Sequence, residues 1–273
     1  MAAAGHSEDT PDRAAAVLTD AEFVRLVATA NGDSLAAAGL LARGLDAVGV
    51  PYQASLAAVP EPPATDADCT VAVGGPTGDV TLRNAPVATE AASILETLAP
   101  DAIDPELALA GAICAGAEPS GRLLERAGLE RHPGVAIPTD DPIEGLAAST
   151  LVHASFSGDL DATETALSTL EDPTGRELAS FVALSAVENA PPRAAPAVER
   201  AQPGTGLALA LGHDVEAAAR DVWRTHGQRA HTVLRTADTG RYEGLYVIRI
   251  ENAAPAVLGT VARLAFQYRS PEP

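Results

Sequence analysis

Few side chains in this sequence stand where they could do chemistry, and the first is Asp33. It lies in the polar turn Asn31-Gly-Asp-Ser34, between an apolar run ending at Ala28 and an Ala- and Leu-rich stretch towards Val48. The turn holds no second carboxylate or imidazole beside it. A second group is cationic: Arg220, Arg224, Arg229, Arg235 and Arg241, with Trp223, His226 and His231 among them and only Asp221 and Asp238 as acids. Guanidinium pairs bidentately with phosphate, and an aromatic ring beside it stacks a base, so this window reads as a nucleic-acid contact. The competing reading is that these arginines neutralise nearby carboxylates and that Trp223 is core.

Three other constellations carry less. Gly74-Gly-Pro-Thr-Gly78 lacks the Gly-Lys-Ser/Thr of a phosphate-cradling loop, and a strand rather than a helix follows, so a plain turn is expected. Asp140, Asp141, His132 and His153 contain metal-ligand atoms, but the histidines have no one-turn helical spacing, and Asp140-Asp141-Pro142 suits a helix N-terminus. Ser155 and Ser157 lie near His153 without the GxSxG elbow that exposes a serine nucleophile.

The elements that must position these residues alternate along the first half. Strands are expected at Phe23–Ala28, Tyr52–Ala57, Thr70–Val73 and Val80–Leu82, and helices at Asp33–Val48, at Val87–Leu98 and from Pro105 through Ala115. This βαβ order predicts a mainly parallel sheet with flanking helices. Pro105 just inside its helix follows the preference of helix N-termini. The domain reading is a mobile N-terminus over residues 1–18, an α/β domain over 19–128, a helical connector and linker over 129–203, and a small α+β domain over 204–273. In the last, strands are expected at Leu207–Leu211, His231–Arg235 and Leu245–Ile250, and helices at Asp214–His226 and Ala256–Tyr268.

Composition bounds the class. At 273 residues, with 47% hydrophobic residues but 3% aromatics, Ala, Val and Leu must fill the core. Net charge is −19, and all 18 basic residues are arginine. Acidic surface without lysine resembles proteins of salt-in halophilic archaea, whose carboxylates keep the chain hydrated where the Debye length shrinks to roughly 3 Å. An acidic chain ordinarily argues against a nucleic-acid partner; that argument weakens where molar salt already suppresses counterion release, so local arginine clusters carry more weight than net charge. Cys69 and Cys114 form no CxxC unit and are expected as reduced thiols. With no leader and no apolar run of bilayer length, a cytoplasmic protein with no membrane partner is expected.

The strand–turn–helix–strand of residues 27–57 resembles the opening of the DHH phosphoesterase superfamily, which includes RecJ-type single-strand exonucleases. Pro86–Leu98 is similar to the helix after that superfamily's signature, and Leu107–Ala115 to the helix that delivers a late metal-binding aspartate. Residues 132–159 and the tail 231–273, with Thr239-Gly-Arg-Tyr-Glu-Gly244, are similar to segments of haloarchaeal RecJ-like chains. Position by position, the metal ligands are missing. His-x-Asp-x-Asp-Gly reads Thr29, Ala30, Asn31, Gly32, Asp33 and Ser34; the second-motif aspartate maps to Gly74; Asp-His-His is absent from Val80–Ala85; the late aspartate maps to Ala115. The resemblance therefore implies a catalytically silent member with Asp33 as a vestige and no bound cofactor. It would serve as a scaffold or a single-stranded nucleic-acid-binding factor in DNA replication or repair, with single-stranded DNA or replisome proteins of the GINS or MCM kind as partners. Two alternatives stay open. One is a divergent exonuclease or phosphoesterase using Mn2+ or Mg2+ through Asp33. The other is a regulator that binds a small molecule in the emptied interdomain cleft.

Overall fold

Four strands carry the first half of the molecule: β1 (Val24–Thr29), β2 (Tyr52–Ala57), β3 (Cys69–Val73) and β4 (Val80–Leu82). All pair in parallel in the order β2-β1-β3-β4. This is a computed structural model, and it describes residues 10–57, 68–75, 77–84, 86–117, 121–130, 132, 139–142, 204–214, 217, 225, 228–230, 232–243, 245–251, 257–258 and 261–262. Val24, Leu26, Val27 and Ala28 of β1 are all buried, as are Val71, Ala72 and Val73 of β3, so the centre of the sheet is covered on both faces. That burial explains why these strands read as apolar runs rather than as alternation.

The helices described in full are α1 (Pro11–Asp20), α2 (Gly32–Val48), α3 (Val87–Leu98), α4 (Pro105–Cys114), α5 (Arg122–Ala127) and α6 (Thr205–Ala210), with a 3-10 turn at Pro100–Ala102. α2 is buried almost all round between the sheet and α3, α4 and α6, which suits its Ala, Leu and Gly content. Small residues permit the close approach. A Cβ at Gly39 would strike the Ala210 carbonyl, and one at Gly111 would strike Ala36 and Ala88. α2 ends at Gly49, whose φ of 76° supplies the left-handed cap. α4 starts as expected, with the Asp104 side chain accepting from the Leu107 N–H at 2.9 Å and Pro105 in its first turn.

Five expectations are corrected. Residues 11–18, read as mobile, begin α1: Ala14, Ala15 and Leu18 form a buried stripe against α3, and Thr97 Oγ1 donates to Asp12 Oδ1 at 2.8 Å. Leu207–Leu211, read as a strand, is α6 and its cap; a short apolar run is equally compatible with a buried helix. Leu207 and Ala210 join the first core, so a boundary at 204 cuts through one packed unit. His231–Arg235, read as a strand, falls in a segment where residues 228–230 and 232–236 are helical. Residues 238–242, assigned no element, form β5 (Asp238–Tyr242), paired antiparallel with β6 (Leu245–Arg249), with Tyr242 opposite Leu245 and Glu243 at a φ of 45°. Ala230, Leu234, Val257 and Val261 make a small second core packed by Val233, Ile248 and Ile250. The helical connector lies mostly outside the described residues; within it, Glu130 and Thr139 form an antiparallel bridge.

Candidate functional site

β1 leads through α2 to β2 on one side, while β3 and β4 lie on the other, so the chain reverses its winding between β1 and β3. In open parallel sheets, ligands enter the crevice beyond the carboxyl ends of the strands at such a switch point. A cavity of about 460 Å3 lies there, lined by Ala30, Asn31, Gly32, Asp33 and Ser34 after β1, Gly74 after β3, Arg83 after β4, Val87 of α3, and Cys114 and Ala115 at the end of α4. Its volume is within the roughly 300–1,000 Å3 of small-molecule sites.

Asp33 is the one carboxylate in that lining, and it is engaged elsewhere. Oδ2 accepts the Val87 N–H at 2.7 Å and Oδ1 the Ala88 N–H at 2.9 Å. Pro86 precedes α3 and offers no side-chain cap, so a residue more than fifty positions away supplies one. The carboxylate sits between the positive ends of two helices, its own α2 and α3. Burial pushes its pKa above the ordinary value, outweighing the two N–H bonds that pull it down.

The neighbouring positions have been filled with hydroxyls and carbon. Ser34 and Thr29 hydroxyls lie 3.2 Å apart, and Thr29 Oγ1 donates to the Val73 carbonyl at 3.0 Å. Gly74 has a φ of 71°, and a Cβ built on it would run into both hydroxyls. An aspartate at 74 therefore has no room in this arrangement. Asn31 uses its side-chain oxygen to cap α2, accepting from Ser34 N–H at 2.9 Å. Ala30 and Ala115 bring no lone pair. Among the described residues no three His, Cys, Asp or Glu side chains come together as metal ligands do. The donor set at this cavity does not fit a pair of metal ions.

Arg83 is the charged residue that sequence reasoning missed. It directly follows β4, so its position was legible, though its place in the cavity wall needed the fold. Its backbone N–H donates to Glu90 Oε2 at 3.2 Å, and its guanidinium has no partner among the described residues.

The remaining candidates are dispersed. Gly74, Gly75 and residues 77–79 lie between β3 and β4 and belong to no helix or strand. His132 Nε2 lies 3.2 Å from the Thr139 carbonyl, while Asp140 and Asp141 are both exposed. His153, Ser155 and Ser157 lie outside the described residues, as do Arg220, Trp223 and Arg224. Arg229 and Arg235 are exposed on helical residues, not on strands and loops, and Arg241 is exposed on β5. Cys69 is buried and its thiol is pushed up to about 11 by burial and by Asp79 and Asp68, so it stays protonated.

Residues 237–273 match the family described as "uncharacterized protein rrnAC1427, C-terminal domain". The protein rrnAC1427 of Haloarcula marismortui is 45% identical in an alignment covering 97% of this chain and 80% of the relative. The crystal structure of exonuclease RecJ bound to manganese is similar in fold, with a TM-score of 0.52 at 14% identity, over 97% of this chain and 79% of that one. The parallel sheet with flanking helices is thus a RecJ-like fold, and by its sequence the chain belongs to the family of rrnAC1427.

Proposed function

We propose that this chain is a RecJ-like protein that no longer cleaves phosphodiesters and acts by binding single-stranded nucleic acid, as a factor or scaffold in DNA replication or repair. One observation carries the first half: the single carboxylate in the cavity is tied through both oxygens to the backbone of α3. A metal would have to displace those bonds, and Gly74, Ala30 and Ala115 offer no second ligand. The binding half rests on the exposed arginines 229, 235 and 241 in a chain of net charge −19.

The test is manganese-dependent degradation of end-labelled single-stranded DNA, with binding read by mobility shift from the same samples. The expected outcome is a shift without cleavage, weakened by replacing Arg229 and Arg235 together. Cleavage by the parent that is abolished in Asp33→Ala, while that variant stays folded by circular dichroism, would restore the enzyme reading with Asp33 as one ligand and mean that the others are side chains outside the cavity lining described.

A second reading is favoured by Arg83. Its guanidinium, without a partner among the described residues, shares the cavity wall with the first turn of α2, whose N–H groups at Gly32 and Asp33 lie outside the helix's own bonding. That suits a small anion, held within the first unit rather than between two domains. Phosphate or a mononucleotide added to those samples should then raise the melting temperature in the parent but not in Arg83→Gln.

A further inference from the structure

We propose that the outward face of the β5–β6 hairpin is a base-stacking platform for single-stranded nucleic acid, with Tyr242 as the stacking ring and Arg249 as its cationic neighbour. This deepens the binding half of the function proposed above and rests on it. The strand register assigns the faces. Asp238 pairs with Arg249, Gly240 with Val247, and Tyr242 with Leu245, so these six share one face. Ile248 points the other way and packs on the small second core, which leaves the Tyr242 face outward. Tyr242 is 53% exposed and Leu245 68%.

The ring is held in place. A Cβ at Gly240 would lie 3.0 Å from Tyr242 Cε2 and 3.6 Å from its Cζ, so the ring leans back over the glycine, where no side chain lifts it. Arg249 Nη2 lies 3.5 Å from the Tyr242 hydroxyl, and Arg249 Nη1 lies 4.0 Å from Asp238 Oδ2. Both side chains of that ion pair are mostly exposed, so it is weak, and most of the five guanidinium donors remain for a ligand. An exposed aromatic on the open face of an antiparallel sheet, beside a guanidinium, is the arrangement on which unpaired bases stack.

Charge selects this occupant over a generic protein surface. Residues 1–203 contain ten arginines and thirty carboxylates, whereas residues 204–273 contain eight arginines and seven carboxylates. A polyanion is repelled by the first part of the chain and tolerated by the second. The chain has only four tyrosines, and the other one among the described side chains, Tyr52, is half-buried and donates to Asp46 at 3.2 Å. Tyr242 is instead spent on the surface, where it contributes little to folding.

The experiment uses the full chain and a fluorescent oligothymidylate, with anisotropy read at about 0.2 M and about 2 M KCl. Stacking is worth roughly 10-fold or more per base, so Tyr242→Ala should weaken binding by about that factor, and Tyr242→Phe should not. The Tyr242→Ala loss should persist at high salt, since stacking is not screened, while an Arg249→Gln loss should shrink. A strand with abasic sites should lose affinity for the parent but lose little more for Tyr242→Ala. Additive losses, or parent-like binding by Tyr242→Ala, would overturn the platform while leaving nucleic-acid binding intact. No binding of any strand by the parent would overturn both.

Discussion

Asp33 shows how a carboxylate in a cavity wall can be held there by a structural task. Its two oxygens satisfy two N–H groups that Pro86 leaves without a cap. Replacing it by alanine strands both donors in a buried place, at a cost of about 2–4 kcal/mol in urea denaturation. Asparagine should fare little better, because its NH2 would face one of those donors. The pH dependence follows from the raised pKa of the folded carboxyl. As pH rises above the ordinary value of 3.8, the unfolded chain ionises first, and stability falls until the folded carboxyl has ionised too. The penalty of Asp33→Ala should therefore be largest in acid and narrow as pH rises through the raised pKa, then level off. A penalty that grows towards neutral pH would mean that the two N–H bonds, not burial, dominate.

At the scale of elements, the seam between α2 and α6 carries the sharpest test. α6 docks where Gly39 has no side chain, and Arg43 Nη1 donates to the Ala210 carbonyl at 2.6 Å while pairing with Asp104 at 3.3 Å. Gly39→Val should push α6 off and cost about 1–3 kcal/mol of thermal stability, and Arg43→Ala added to it should cost little more, since both break one contact. Full additivity would mean that α6 stays docked. The sequence made the sheet and α2 legible because apolar runs bounded by Gly, Pro and a polar turn have few other uses. It hid α6, because Gly-Leu-Ala-Leu-Ala-Leu has no polar residue to mark a period. It hid the helical residues around Ala230 and Leu234 too, since Thr232-Val-Leu-Arg-Thr reads as readily as a strand. The role of Asp33 depends on a partner more than fifty residues away; the one local clue was a helix opening after proline without a Ser, Thr, Asp or Asn cap.

For the whole molecule, 37 carboxylates against 18 arginines leave a surplus that the described ion pairs do not absorb. Arg43–Asp104, Arg122–Glu96 and Arg249–Asp238 span 3.3 to 4.0 Å, and the last two are largely exposed. Exposed pairs of that kind contribute at most about 1 kcal/mol each, whereas like charges repel across the whole surface when the Debye length is about 30 Å, as in 0.01 M salt. Screening at 1 M shortens that reach to about 3 Å, relieving repulsion between distant carboxylates more than it weakens contacts already close. The melting temperature should therefore climb on going from about 0.01 M to about 1 M KCl, by roughly 3–6 °C if the relieved repulsion is about 2–3 kcal/mol. NaCl at equal ionic strength should give nearly the same rise, because screening does not distinguish the cations. The imbalance sits before residue 204, so the parallel-sheet unit should gain more than the β5–β6 unit, which amide exchange can resolve region by region. A melting temperature that fell with salt would mean that arginine ion pairs, rather than carboxylate repulsion, set the electrostatic balance.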